Sequence, residues 1–225
     1  MTSKAISPKG SDGKKAKPSW PGVQLAYRLA REQFVRADQQ ALCRMSGGEL
    51  VPDGLAVALL GERKLVALSD GTVTKERGGE EPIRTACLVV QYLLRADGRP
   101  LEGVDLDFRA LPSGFLYIGP FSGRSTGRLA REFGKEPSRL HSAAETLDAR
   151  FLEGQGDLAF EVDVLPRVPL KVVLWQGDEE FAPSASILFD SSVEGYLDTE
   201  GAAIAAEILV TELVKRGRAL MEENK

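Results

Sequence analysis

Apolar and polar positions alternate along this chain with two different periods, and the changes of period mark predicted elements. Between Trp20 and about Met45, apolar residues recur every three to four positions with charged residues opposite, which predicts a helix. Two apolar runs, LAVALL and KLVAL, flank Gly61–Arg63 and predict a β-hairpin, with a further strand at TVTK. Pro82 suits the first turn of a helix that extends to about Ala96.

The second half of the chain shows the same change of period. Residues 101–123 are interrupted by glycine and proline and are predicted as short extended pieces, and two helices are predicted over roughly 125–133 and 137–149. The segments DLAFEVDVLP, PLKVVLW and SASILFD predict strands, and a last helix begins after Asp198 and extends to about Arg216. Strands and helices come in blocks, which predicts an α+β fold with a mainly antiparallel sheet.

Length and charge set the domain organisation. The chain has 225 residues and a formal net charge of −4, but residues 1–19 carry five lysines against one aspartate. That segment predicts a disordered basic tail, whereas 20–225 predicts one domain, with candidate lobes at 20–100 and 101–217. Since the tail is basic, the remainder is acidic, and we expect no DNA or RNA binding.

The cysteines and the apolar runs indicate the cellular compartment of the protein. Cys43 and Cys87 form no CxxC pair, and Cys87 sits at helical spacing among apolar residues, where it is predicted to be a small buried group. No secretory signal and no apolar run of membrane-spanning length occurs in the sequence. We therefore expect a cytoplasmic protein without a membrane span, whose thiols are reduced.

Three segments carry a family resemblance. They are LPSGFLYIGPF, GDLAFEVDVLPRVPLKVVLWQGDEEFAPSASILFD and YLDTE. Together they resemble a family of mostly anaerobic bacterial and archaeal proteins, the domain of unknown function three-seven-eight-six. Some relatives carry this domain beside a four-cysteine iron–sulfur module similar to that of corrinoid iron–sulfur proteins. The resemblance implies a role near corrinoid or metal-cofactor chemistry, with a corrinoid as cofactor or a corrinoid or iron–sulfur protein as partner, although this chain lacks the cysteine module.

The first candidate site is an acidic stretch at the end of an apolar strand. Trp175 is followed by Asp178, Glu179 and Glu180, and the next predicted strand ends at Asp190. Carboxylates suit a hard cation such as Mg²⁺ or Ca²⁺, for which the candidate ligands are Asp178, Glu180 and Asp190. The acids can equally accept hydrogen bonds from amide side chains of a bound macrocycle, or pair with a nearby arginine. The alternative is a solvated turn in which one carboxylate caps backbone N–H groups and Phe181 anchors in the core.

The second candidate site is the segment GPFSGRSTGRLAREFG, where glycines surround the start of a predicted helix. A helix N-terminus with arginines suits a phosphate or carboxylate, and the candidate anion-binding residues are Arg124, Ser125, Thr126 and Arg128. The alternative is ordinary capping by Ser125 or Thr126.

The remaining candidates are cofactor contacts. His141 is the single histidine, which excludes a site built from several histidines but leaves axial ligation of a haem or corrinoid open. Tyr117 can line a pocket, and Trp175 either stacks on a ligand or packs in the core. The full set of candidate cofactor contacts is Trp175, Asp178, Glu179, Glu180, Tyr117 and His141.

Three functions compete on these observations. The favoured one is a cytoplasmic binding or accessory protein for a metal-containing cofactor, of corrinoid type, or for a partner that bears such a cofactor. The second is an enzyme in which Arg124 and Arg128 bind a small anionic substrate while Asp178 or Glu180 acts as base or cation ligand. The third is a structural or regulatory interaction module with an acidic face. No catalytic motif in the sequence decides between them.

Overall fold

A computed structural model describes residues 21–223, so the predicted disordered tail lies outside the described residues. Its α-helices are α1 (Pro21–Arg36), α2 (Gln39–Ser46), α3 (Ile83–Arg95), α4 (Gly114–Arg124), α5 (Thr126–Phe133), α6 (Pro137–Glu145) and α7 (Thr199–Glu223). Its strands are β1 (Glu49–Val51), β2 (Gly54–Leu59), β3 (Glu62–Ala67), β4 (Val73–Lys75), β5 (Asp105–Asp107), β6 (Arg150–Leu152), β7 (Leu158–Leu165), β8 (Val168–Trp175) and β9 (Ser184–Asp190). Short 3₁₀ helices cover Phe108–Ala110 and Ser191–Gly195.

The strands form two sheets. The first is a four-stranded meander in the order β1-β2-β3-β4, and the second has five strands in the order β5-β9-β8-β7-β6. Every strand pair in both sheets is antiparallel, which confirms the predicted α+β class. Strand β8 lies at the centre of the second sheet and is buried along most of its length, which explains its continuous apolar sequence.

A single hydrophobic core joins the two sheets. Buried residues of β2, such as Leu55, and of β7, such as Phe160, belong to the same apolar cluster. The backbone N–H of Leu60 donates to the carbonyl of Val164 at 2.9 Å, so the sheets also meet through the main chain. Helix α7 runs through this core, and its buried residues include Ala202, Ala205, Ala206, Leu209, Val210, Leu213 and Val214.

The predicted first helix is two helices. Helix α1 ends at Arg36, and Asp38 begins α2 because its carboxylate accepts hydrogen bonds from the N–H groups of Gln40 and Ala41 at 2.9 and 3.1 Å. The periodic pattern continues across this break because both helices bury one apolar face. Asp38 was the sequence signal for the boundary.

Within the predicted extended segment 101–123, β5 (Asp105–Asp107) agrees with the prediction, whereas helix α4 contradicts it from Gly114 onwards. Its sequence contains three glycines and Pro120, which give weak helix propensity. Packing compensates: the ring of Phe121 stacks on Phe108 with centroids 3.9 Å apart and planes 3° from parallel. At Gly114, a Cβ atom would lie 2.0 Å from the carbonyl oxygen of Phe108, so only glycine permits this approach.

Within residues 21–223, none of the helices combines the length and the apolar character needed to cross a membrane.

Candidate functional site

A groove of about 560 Å³ lies between α1, α3 and the start of α7. Its apolar lining consists of Ala26, Leu29, Ala30, Leu94 and Leu197. An adjoining cleft of about 340 Å³ shares Ala26 and Gln91 with it, and extends the concave surface to Val23, Cys87 and Ile204. We call the two clefts together the helix groove.

The helix groove carries three polar side chains that the fold does not use fully. Gln33 of α1, which is exposed, and Gln91 of α3, which is half-buried, line it, and neither amide makes a hydrogen bond to another described residue. Arg95, near the end of α3, donates from Nε to the carbonyl of Glu194 at 3.1 Å, which fixes its guanidinium at the rim. An amide both donates and accepts hydrogen bonds, and a guanidinium binds carboxylates in a bidentate manner.

Other polar groups of the groove are engaged in structure. Asp198 caps α7 by accepting a hydrogen bond from the N–H of Gly201 at 2.7 Å, which confirms the predicted helix start. The Tyr196 hydroxyl donates to the carbonyl of Arg99. Burial raises the pKa of the Cys87 thiol to about 11, with the nearby carboxylates of Glu200 and Asp198 adding to the shift. Cys87 is therefore a buried thiol, as predicted, and a poor nucleophile at neutral pH.

The sequence did not indicate the helix groove. Its polar residues come from distant segments, and a glutamine on an amphipathic helix resembles any surface glutamine. Leu29 is an exposed apolar residue of α1, but so are Leu25 and Val35, and the sequence does not distinguish it from them.

The acidic stretch forms a tight turn. Asp178 accepts hydrogen bonds from the N–H groups of Glu180 and Phe181 at 2.8 and 2.6 Å, and its own N–H donates to the carbonyl of Phe181 at 2.9 Å. The amides of Phe181 and Glu180 lower the pKa of the Asp178 carboxyl. This is the capped, solvated turn of the alternative interpretation, except that Phe181 lies on the surface and not in the core.

Asp190 does not complete a cation site with this turn. It lies at the far end of β9, roughly 20 Å of extended strand from the turn. Its carboxylate accepts hydrogen bonds from the N–H groups of Glu102, Gly103 and Ser192 at 3.0, 2.6 and 2.9 Å. The structure therefore does not bring Asp178, Glu180 and Asp190 together, and no group of three metal-ligating side chains occurs among the described residues.

The proposed anion-binding loop is occupied by contacts within the fold. Arg124 lies 3.5 Å from Glu207 of α7, and Arg128 donates to the hydroxyl of Thr211 at 2.8 Å. Ser125 is buried and donates to the carbonyl of Phe121 at 2.6 Å. The Thr126 hydroxyl donates to that of Ser122 at 3.2 Å.

This loop and the acidic turn lie at opposite ends of α5. The acidic turn contacts the C-terminal end, where the N–H of Gly177 donates to the carbonyl of Gly134 at 3.3 Å. The arginines lie at the N-terminal end and contact α7. The two segments therefore do not form one catalytic cleft.

The candidate cofactor contacts do not converge either. His141 of α6 stacks on Phe151, with ring centroids 4.0 Å apart, and its Nδ1 lies 3.6 Å from Glu145. Tyr117 is exposed on α4, and Trp175 is exposed at the end of β8. None of the three lines the helix groove. The residues present therefore do not fit a haem or corrinoid held by an axial histidine.

A smaller cavity of about 240 Å³ contains a buried ion pair. Lys64 of β3 donates to Glu81 at 2.8 Å and to Glu62 at 2.7 Å, and the side chains of Lys64 and Glu81 are 5% and 4% exposed. Burial lowers the pKa of Lys64, but its hydrogen bonds to Glu62 and Glu81 outweigh this and raise it. We call this the Lys64 cavity. The sequence signal for this cavity was the spacing of Lys64 and Val66: residues two apart in a strand point to the same face, and here both are buried.

Comparison with known sequences gives the family. Searches of curated proteins and of solved structures found no significant match. A family model described as a domain of unknown function (DUF3786) matches residues 38–212, which include every strand, helix α3 and the start of α7. Two walls of the helix groove thus lie inside the matched segment, whereas α1 precedes it. The chain belongs to the family with this domain of unknown function, DUF3786.

Proposed function

We propose that the protein is a ligand-binding accessory protein and that the helix groove is its binding site. The observation that carries this proposal is the pair of unengaged amides, Gln33 and Gln91, above an apolar floor. Binding pockets for organic ligands are typically about 300–1,000 Å³, mostly apolar, with a few polar groups that fix orientation. The volumes of the cleft and of its extension, about 560 and 340 Å³, fall in that range.

The lining suggests the chemical class of the ligand. An apolar body suits Ala26, Leu29 and Leu94, while an amide or carboxylate suits Gln33, Gln91 and the Arg95 guanidinium. The Cys87 thiol contributes packing and not covalent chemistry, because it stays protonated at neutral pH.

A corrinoid belongs to this class because it is a macrocycle edged by amide groups. The family resemblance favours it, and in the helix groove it would be held through those amides without a histidine ligand. The same groove would also accept such a group presented by a cofactor-bearing partner.

Binding can be tested with protein purified anaerobically without a tag. Native mass spectrometry would show a retained ligand, and isothermal titration calorimetry would measure the affinity for added cobinamide, haem and a medium-chain carboxylic acid. The variant Ala26→Trp fills the junction of the two clefts, and Gln24→Trp places the same side chain on the exposed side of α1 as a control.

We expect Ala26→Trp to abolish binding and Gln24→Trp to leave it unchanged. The variant Gln33→Leu/Gln91→Leu keeps the shape of the groove and should weaken binding at least tenfold. It tests the same site if the tryptophan variant fails to fold. An apo mass without affinity for any of the three probes contradicts the proposal. So does binding that persists in both groove variants.

A further inference from the structure

The first turn of α4 exposes three consecutive large apolar residues. Phe115, Leu116 and Tyr117 are 72%, 76% and 59% exposed. The opposite side of the helix packs on the body, where Phe121 stacks on Phe108 and Ile118 packs against the core. We call Phe115–Tyr117 the α4 patch. An apolar patch of this kind on a soluble domain commonly marks an interaction surface.

A second exposed apolar pair lies on the acidic turn. Phe181 is 68% exposed and Trp175 is 42% exposed. Trp175 ends β8 just before the turn, where Asp178 accepts two backbone hydrogen bonds and the N–H of Gly177 donates to the carbonyl of Gly134 at the end of α5. We call Trp175 and Phe181 the turn patch.

The two patches differ in the charges that lie near them in the sequence. Residues 107–132, which include the α4 patch, contain four arginines, Arg109, Arg124, Arg128 and Arg131, against Asp107 and Glu132, and Glu132 pairs with Arg218 at 2.8 Å. Glu207 lies against Arg124, but it also pairs with Arg84 and so neutralises the region only in part. The turn patch lies beside four acidic residues, Asp157, Asp178, Glu179 and Glu180. One cation, Lys135, directly follows Gly134, whose carbonyl accepts the hydrogen bond from Gly177.

The patches cannot satisfy each other within one chain. Phe121 of α4 lies beside Phe189, near the C-terminal end of β9, with centroids 6.4 Å apart. The acidic turn joins the N-terminal end of the same strand, so roughly 20 Å of extended strand separates them.

We infer that the α4 patch of one copy binds the turn patch of a second copy, and that a two-fold axis repeats the contact to close a dimer. Aromatic and aliphatic side chains form the centre of each contact, and the arginines of one copy face the carboxylates of the other. Closed two-fold dimers of this kind are the commonest oligomers of soluble proteins. This inference does not depend on the helix groove.

The exposed area agrees with a dimer interface. Taking about 200 Å² for each fully exposed large side chain, the five residues contribute roughly 600 Å² per copy at their observed exposures. A stable interface buries about 800 Å² per partner, and its polar rim supplies the difference. The charged side chains around both patches provide such a rim.

The mass of the full chain in solution gives the first test. Sedimentation equilibrium from 1 to 100 μM should show a dimer, and Phe115→Ser/Leu116→Ser should raise its dissociation constant at least tenfold. Leu101→Ser removes another exposed leucine outside both patches and should leave the dimer intact. Raising the salt from 0.05 to 0.5 M should weaken the dimer, since the rim charges are exposed.

Charge reversal gives the decisive test. In the first variant, Arg109→Glu/Arg131→Glu, both patches are acidic. In the second variant, Glu179→Arg/Glu180→Arg, both patches are basic. Each variant alone should be monomeric, and an equimolar mixture should form a heterodimer. A wild-type monomer at 100 μM overturns the inference. A dimer that survives Glu179→Arg/Glu180→Arg, or a mixture that stays monomeric, also overturns it.

Discussion

The helix groove and the Lys64 cavity are both concave and both contain polar side chains, but they use those side chains differently. In the Lys64 cavity the buried ammonium is held by Glu62 and Glu81, and Arg216 at the rim pairs with Glu212 at 2.9 Å. In the helix groove the amides of Gln33 and Gln91 have no partner among the described residues.

The charged side chains of the Lys64 cavity stabilise the fold, whereas the amides of the helix groove are available to a ligand. Moving a charge out of water is costly, so a buried lysine persists only with its partners in place. An amide at a groove wall costs little while water solvates it, and it gains a partner when a ligand binds. A cavity whose buried charges pair with each other is therefore a weaker candidate for binding than a groove in which some polar groups have no partner within the fold.

The largest expected effect is at the Lys64 cavity. Lys64→Met leaves Glu81 buried without its cation and should lower the free energy of unfolding by about 3–5 kcal/mol. Urea denaturation followed by circular dichroism measures this. The double variant Lys64→Met/Glu81→Met should recover most of the loss, because no unpaired charge remains. If both variants are equally unstable, packing and not charge explains the loss.

The second largest effect concerns Asp190, another engaged carboxylate. Burial raises the pKa of Asp190, but the hydrogen bonds from Ser192, Glu102 and Gly103 outweigh this and lower it. Asp190→Asn removes one acceptor and should cost about 1–2 kcal/mol of unfolding free energy at pH 7.

The same variant should change the pH dependence of stability. Since the pKa of Asp190 is lower in the folded state, its contribution is present above the unfolded value near 3.9 and is lost as the pH falls through the folded value. Urea midpoints from pH 7 to pH 2 should therefore decline less steeply in Asp190→Asn than in the wild type. Equal slopes would show that the protonation of Asp190 is not linked to folding.

Asp198 lines the helix groove but also caps α7. It therefore tests whether a polar residue of the groove can stabilise the fold. Asp198→Ala should lower the free energy of unfolding by about 1 kcal/mol. Asp198→Asn keeps an acceptor oxygen and should lose less. Thermal and urea denaturation of both variants would measure this, and equal losses would contradict the capping role.

The smallest effect on stability is expected in the helix groove itself. Gln33→Leu/Gln91→Leu should change the free energy of unfolding by less than about 0.5 kcal/mol without ligand, since neither amide supports the fold. The same double variant is expected to lose ligand affinity. A loss of stability comparable to that of Lys64→Met would remove the distinction between the two cavities.

Much of the fold follows from local pattern. The hairpin of β2 and β3, strands β7, β8 and β9, and helices α3 and α5 lie close to their predicted positions. Helix α7 begins where predicted but extends to Glu223, beyond its predicted end near Arg216. Their burial repeats with a period of two or 3.6, which a sequence displays directly. Helix α4 was missed because it depends on Phe108, which stacks on Phe121. Strand β1 was missed because three residues give too short a pattern.

In contrast to the fold, the candidate sites could not be read from local sequence patterns. Acids after a strand and arginines after glycines suggested chemistry, but Asp178 and Asp190 accept backbone hydrogen bonds and Arg128 bonds to α7. Short-range composition does not show which backbone N–H group a carboxylate will meet. Gln33 and Gln91 carried no motif, and only the packing of α1 on α3 brought them to one groove.

By itself, the sequence determined the α+β class, the order of most elements and the family, because each depends on the local repetition of apolar residues or on a run of characteristic residues. Tertiary structure decided which polar groups are engaged. Hydrogen bonds and ion pairs join residues such as Lys64 and Glu81 that are distant in sequence. Whether such a group stabilises the fold or is available to a ligand depends on its neighbours in space, and only the folded chain defines them.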